Sequence, residues 1–268
     1  HYATSRIRAF DIINKKQIKS FSDLDELSEE VRNSEFKAVK TNIAIFDESP
    51  HIYMPGFFKS TGDPGLNVNN SLLKSIDKWV SSLRSSLDDS VEIALDLNFN
   101  FKTQGYIEIG RILDKYKLMW LEIDSYDPKA LKYIKESVNT PITSCENLYG
   151  LRQFKPYFEN YSMDIVSIDV IWNGFSESKK IADMANTYEM NICPHNYNGH
   201  LSTFISTHLC SMVPNLKMAE IDVDDVPWKD ELFTELPTIK DGCMLLPKRP
   251  GWGTDLNEKA LKKYKWHK

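Results

Sequence analysis

From residue 38 to residue 222 the chain repeats one unit: a short run rich in Ile, Val and Leu, then an amphipathic stretch of roughly ten to eighteen residues. The apolar runs lie at 2–6, 38–45, 91–98, 118–124, 142–146, 165–170, 191–195 and 216–222. The stretches between them carry helix starts: Ser22-Asp23-Leu24-Asp25-Glu26, Ser71 ahead of Leu72, and Asp127-Pro128 with proline at a first helical position. Eight strands alternating with seven helices predict parallel βα units. Such units form either an open doubly wound sheet or a closed barrel. The open sheet usually opens with a Gly-rich first turn, which is missing here. A length of 268 residues suits one barrel of about 250. The expected fold is therefore a TIM-like (β/α)7β barrel.

Two segments depart from the repeat. Residues 54–70 read MPGFFKSTGDPGLNVNN, a long Gly/Pro/Asn-rich loop of the kind that is often functional. Phe57 and Phe58 within it either project over a pocket or pack on a neighbouring domain. From Val226 onward there is no further βα unit, only Pro- and Gly-punctuated chain with turns at Lys240-Asp241-Gly242 and Pro250-Gly251. The expected division is a catalytic barrel over 1–225 and an irregular segment over 226–268 that packs back on it. The last ten residues hold five lysines and read as a solvated tail.

Composition excludes some partners. Lys and Arg total 33 against 38 Asp and Glu, a formal charge of −5, with no basic block before the terminal run, so nucleic acid is not expected. No apolar run is long enough to span a membrane. Cys145, Cys193, Cys210 and Cys243 lack metal-site or framework spacing and fit reduced thiols of a cytoplasmic protein.

Barrel chemistry sits at the C-terminal strand ends. Reading each run to its end gives Lys40, Asp96 with Asn98, Glu122 with Asp124, Glu146, Asp169, His195 and Glu220. From Asp96 to Glu220 the steps are 26, 24, 23, 26 and 25 residues, one βα unit each. A single such residue is as well explained by solvent exposure or helix capping; six in phase are not. Three converging carboxylates repel one another unless a cation lies among them, and hard oxygen ligands suit Mg²⁺. An Asp one strand from a His can fix the imidazole tautomer and raise its basicity.

These residues resemble the barrel domain of the enolase superfamily, in its mandelate racemase/muconate lactonizing enzyme-like, sugar-acid dehydratase branch. The matching strings are Ala94-Leu95-Asp96-Leu97-Asn98, Trp120-Leu121-Glu122, Ser144-Cys145-Glu146-Asn147, Ile168-Asp169-Val170, Pro194-His195-Asn196 and the closing 250–258 segment. The resemblance implies that Asp96, Glu122 and Glu146 bind Mg²⁺, that Asp169 and His195 form a proton-moving dyad, and that Glu220 hydrogen-bonds the substrate. Racemases of that branch carry Lys-x-Lys on the second strand. Here Lys40 is kept and Asn42 takes the second place, so Lys40 is expected to orient the carboxylate rather than act as a second base. Asn42, Asn98 and Trp172 are candidate substrate contacts, although a tryptophan placed like Trp172 is more often wall or core than a stacking platform. The implied reaction is dehydration of an aldonate or aldarate. The proton α to the carboxylate leaves, an enediolate forms, and loss of the β-hydroxyl gives a 2-keto-3-deoxy acid. The resemblance also implies a homo-oligomer and an N-terminal α+β capping domain that these residues do not include.

Other readings stay open: a racemase, epimerase or cycloisomerase sharing the enediolate, a non-catalytic metal-binding homologue, and, less well supported, a Schiff-base aldolase through Lys40. Cys145 and Cys193 read as inert buried thiols. His51, His200 and His267 read as surface or loop residues, with His200 close enough to a strand end to approach the site.

Overall fold

The computed structural model describes residues 2–3, 16–47, 50–57, 66–87, 89–224 and 226–264. The strands are β1 (Tyr2–Ala3), β2 (Ala38–Asn42), β3 (Ala44–Ile45), β4 (His51–Ile52), β5 (Glu92–Asp96), β6 (Trp120–Glu122), β7 (Ile142–Ser144), β8 (Ile165–Asp169), β9 (Asn191–His195), β10 (Ile221–Asp222), β11 (Ile239–Lys240) and β12 (Cys243–Met244). Eight of them form one sheet in the order β10-β1-β2-β5-β6-β7-β8-β9, every pairing parallel. The segment from Asn215 to Asp222 closes it. Leu216 bridges to Ile192 of β9, while Ile221 and Asp222 pair with Tyr2 and Ala3 of β1. The expected barrel is the observed fold.

Alternation along the strands explains both the core and the mouth, because successive side chains point to opposite faces. Val39, Ile93, Leu95, Leu121, Val166, Ile168 and Ile192 belong to the large cluster between strands and helices. Ala38, Ala94, Trp120, Ile165 and Cys193, with Met119, form a separate small buried cluster, the barrel floor. Two residues further along the same strands stand Lys40, Asp96, Glu122, Ser167 and His195, all on the inward face. The register sets Asn42 beside Asp96, Asp96 beside Glu122, and Asp169 beside His195.

The helices are α1 (Leu24–Asn33), α2 (Asn70–Leu87), α3 (Thr103–Leu113), α4 (Pro128–Ser137), α5 (Gly150–Glu159), α6 (Val170–Asn173), α7 (Phe175–Thr187), α8 (His200–Cys210) and α9 (Glu258–Lys263). Asp127 caps α4 by accepting from the Lys129 and Ala130 amides, with Pro128 at the first position. Capping of α2 differs from expectation: Asn69 rather than Ser71 accepts from the Leu72 amide, because the helix begins at Asn70.

Most strands are shorter than the apolar runs that predict them, and two depart most. The second run stops at Asn42, and Ala44–Ile45 turns away to pair antiparallel with His51–Ile52. The eighth makes ladder contacts only near its ends. Residues 58–65 of the long loop, Phe58 included, lie outside the described residues, as does His267. Phe57 packs on Phe99 with ring centroids 4.5 Å apart. Beyond β10 the chain forms the β11–β12 hairpin and then α9. The start of the lysine run is thus helical rather than a solvated tail. Asn257 caps α9, Lys263 pairs with Glu231 at 2.9 Å, and Tyr264 stacks on Trp228.

Candidate active site

At the C-terminal mouth one buried lysine stands among carboxylates. Lys40 Nζ lies 2.6 Å from Glu220 Oε1, 3.0 Å from Glu122 Oε2 and 3.9 Å from Asp96 Oδ2. Burial works against its charge, yet the fields of Glu122, Glu220 and Asp96 raise its proton affinity well above that of a free lysine. Glu122 is fixed from the floor by the Trp120 indole N–H, 3.3 Å from Oε2. Glu220 accepts the Asn196 amide at Oε2, 2.8 Å away. Burial would neutralise Glu220, but Lys40 and His195 hold its carboxyl below the usual range.

Across the mouth is the expected dyad. His195 Nδ1 donates to Asp169 Oδ2 at 2.9 Å. The other oxygen of Asp169 accepts the Ile171 and Trp172 amides, so the carboxylate also caps α6 and cannot rotate away. Burial disfavours the imidazolium, but the bond to Asp169 and the field of Glu220 outweigh it and raise the His195 pKa. Its Nε2 faces inward, 3.4 Å from Glu146 Oε2. Glu146 follows the end of β7 through Cys145, whose φ of 90° turns the chain inward.

Asn42 and Asn98 lie at the mouth, bonded to each other and to the Asp96 strand end. Asn42 Nδ2 donates to Asn98 Oδ1 at 3.1 Å and to the Asp96 carbonyl at 3.3 Å, and its own carbonyl accepts the Trp79 indole. The Asn98 amide donates to Asp96 Oδ1 at 2.8 Å. Trp172 flanks His195 edge-on, centroids 6.2 Å apart. His200 does not join the site; it pairs with Asp230 at 2.7 Å and packs on Phe233, tying α8 to the C-terminal segment.

The metal question turns on the carboxylates. Among the described residues no three His, Cys, Asp or Glu side chains stand close enough to hold an ion as they are placed. Yet Glu122 Oε1, Asp124 Oδ1 and Glu146 Oε2 are buried without a hydrogen-bond partner. Burial and the neighbouring Glu122 push the Asp96 carboxyl up to about 7; burial and Asp124 raise Glu146 well above its ordinary range. Buried, clustered carboxylate oxygens without hydrogen-bond partners would be neutralised by a bound cation. An all-oxygen donor set of this kind fits a hard divalent cation.

Three further neighbours belong to the site beyond the residues given roles from the sequence. Asp124, a strand-end carboxylate two residues from Glu122 and so on the same face, is one of them; burial, Asp96 and Glu122 lift its carboxyl to about 7. Tyr197 lies 5.1 Å from the His195 ring, and Tyr149 stacks on Trp172. The signal for both tyrosines was an aromatic residue shortly after each strand-end ionisable group.

Among the described residues no helix is long and apolar enough to cross a membrane. The family model described as Enolase C-terminal domain-like matches residues 23–260. D-xylonate dehydratase of Haloferax volcanii is 27% identical over 186 residues, covering 68% of this chain and 45% of that protein. Arabinonate dehydratase of Saccharolobus solfataricus is 27% identical over 217 residues, covering 78% and 57%. A solved structure from Burkholderia xenovorans, named as a candidate L-alanine-DL-glutamate epimerase bound to magnesium and fumarate, superposes with a TM-score of 0.92 at 40% identity. It covers 98% of this chain and 67% of that one. The chain spans about half the length of these two dehydratases. With the model match running over most of its length, the chain belongs to the Enolase C-terminal domain-like family.

Proposed function

We propose that this chain is the barrel of a Mg²⁺-dependent sugar-acid dehydratase. The observation that carries the reading is the one-sided disposition of bases. The His195–Asp169 dyad occupies one flank of the mouth, while on the opposite flank Asn42, whose amide is engaged by backbone and Asn98, stands where a second base would be needed. A single base favours elimination over inversion.

Asp96, Glu122 and Glu146 would hold the ion, which when bound supplies electrostatic stabilisation of an oxyanion developing on the substrate carboxylate. Lys40 orients that carboxylate, and Glu220 keeps Lys40 charged and in place. Asp169 holds the Nδ1–H tautomer of His195, leaving the Nε2 lone pair free to take the α-proton. The C–H electrons form the enediolate. As it collapses, the β C–O bond breaks and His195 returns its proton to the departing hydroxyl, so water leaves on the face from which the proton came. The enol then tautomerises to the 2-keto-3-deoxy acid. General acid–base help of this kind is worth about 10²–10⁴-fold.

The reading carries with it a small acid-sugar substrate, a homo-oligomer, and a cytoplasmic location supported by four free thiols, two of them buried. The test is a semicarbazide screen for keto products over aldonic and aldaric acids, run alongside deuterium exchange at the α-carbon. Keto product abolished by His195→Asn supports the dehydratase. A second reading, epimerisation, is favoured by the name of the 40% identical structure. Exchange without keto product selects it.

A further inference from the structure

In the turn that follows β5, Asn98 has a φ of 47°, in the left-handed region. Asparagine tolerates that region better than most residues, but it persists only where the surroundings fix it. The same turn presents groups to the mouth. The Asn98 amide donates to Asp96 Oδ1 at 2.8 Å, and Asn98 Oδ1 accepts from Asn42 at 3.1 Å. The orientation of the Asp96 carboxylate therefore depends on the shape of this turn.

That shape is fixed from α3. Tyr106 lies in the first turn of the helix, and helical side chains lean toward the N-terminus, so its ring reaches back over residues 98–101. Its hydroxyl donates to the Asn98 carbonyl at 2.8 Å and accepts the Phe101 amide at 3.2 Å. Both ends of the turn thus close on one oxygen. The Asn98 carbonyl also takes the Asp124 amide at 3.0 Å, which ties the turn to the end of β6. The Tyr106 ring stands edge-on to Phe101, 88° between planes and 5.6 Å between centroids. Tyr106 is 3% exposed and Asn98 and Phe101 6% each, enclosed by this chain's own atoms. A phenylalanine at 106 would keep the ring contact but strip the buried Phe101 amide of its acceptor.

We propose that Tyr106 is a positioning residue for Asp96. Its hydroxyl holds the 98–101 turn so that the Asn98 amide occupies Asp96 Oδ1, leaving Oδ2, the oxygen on the Lys40 side, for a divalent cation. The cation itself rests on the metal-dependent reading above. Groups that orient a metal-binding carboxylate without touching the ion typically change its affinity by about 10–100-fold.

Mn²⁺ serves as the probe, because hard oxygen sites accept it and electron paramagnetic resonance counts the free ion. Tyr106→Phe is expected to weaken Mn²⁺ binding about tenfold and to speed hydrogen exchange at the Asn98 amide. Tyr116→Phe is the control: Tyr116 lies just before β6, and its hydroxyl donates to Asp77 at 2.8 Å. Its loss removes a comparable hydrogen bond and is expected to lower the urea midpoint with Mn²⁺ affinity unchanged. If Tyr106→Phe does only what Tyr116→Phe does, its hydroxyl is merely structural and the proposal is overturned. A wild-type chain that binds no Mn²⁺ sinks the metal reading instead. Exchange at the Asn98 amide then decides alone whether Tyr106 holds Asp96, and an unchanged rate overturns it.

Discussion

Lys40 carries an unusual share of the site. Its ammonium is the near partner of Glu122 and Glu220 and faces Asp96, so its removal leaves buried negative charge uncompensated. Breaking a buried pair from one side costs about 3–5 kcal/mol. Lys40→Met is therefore expected to lower unfolding stability by that amount in chelator, as read by urea melts; a loss within error of zero would mean that the carboxylates protonate without penalty. Asp169 is dissected differently. In Asp169→Asn the amide can still cap α6, but it no longer favours the imidazolium. The His195 pKa, raised in part by Asp169, falls, and α-proton exchange drops by about 10²–10⁴-fold. NMR titration of the His195 ring in metal-free protein checks the first outcome and deuterium incorporation the second. An unchanged ring pKa would remove Asp169 from the dyad.

At the scale of elements, what was legible followed from period. Ala38, Lys40 and Asn42, or Trp120, Glu122 and Asp124, lie two apart and share a face, so apolar floor and ionisable mouth could be read directly from alternation. The break after Asn42 could not be read. The run Ile43-Ala44-Ile45 continues an apolar pattern with no breaker, and the chain turns because the Ile43 carbonyl takes the Tyr53 amide, a distant partner. The Tyr149–Trp172 stack was equally hidden, since each ring alone reads as ordinary loop surface and the stack depends on Asn173 joining two loops. Local propensity also misleads at Gly110, on the buried face of α3. Helix propensity alone gives Gly110→Ala a gain of about 1 kcal/mol. A Cβ there, however, would sit 2.5 Å from Val138 Cγ1 and 3.4 Å from Leu121 Cδ1. Overpacking of this kind costs about 1–3 kcal/mol, so the variant is expected to be destabilised, as thermal unfolding would report. A rise in Tm would show that Val138, just past the end of α4, yields freely.

For the whole molecule, the acidic mouth links metal, protons and folding. In metal-free protein the Asp96 and Asp124 carboxyls are each held near 7, far above the unfolded value, so the folded chain binds protons there that the unfolded chain has released. Stability from such groups is fully present below the unfolded pKa and is lost as pH rises toward 7 and beyond. A divalent cation acts in the opposite sense: it competes with those protons, and its binding tightens as they leave. In chelator, then, the urea midpoint should fall between pH 5.5 and pH 8, and Mg²⁺ should restore more of it at pH 8 than at pH 5.5. At a free concentration one hundred times its Kd the ion adds about 2.7 kcal/mol, or several degrees in Tm for a chain of this size. The difference between the two pH values is the informative quantity, because a cation bound at some unrelated surface site would stabilise both alike. A Mg²⁺ increment that does not grow with pH would separate the ion from these carboxylates and leave Lys40 and His195 as their counter-charges.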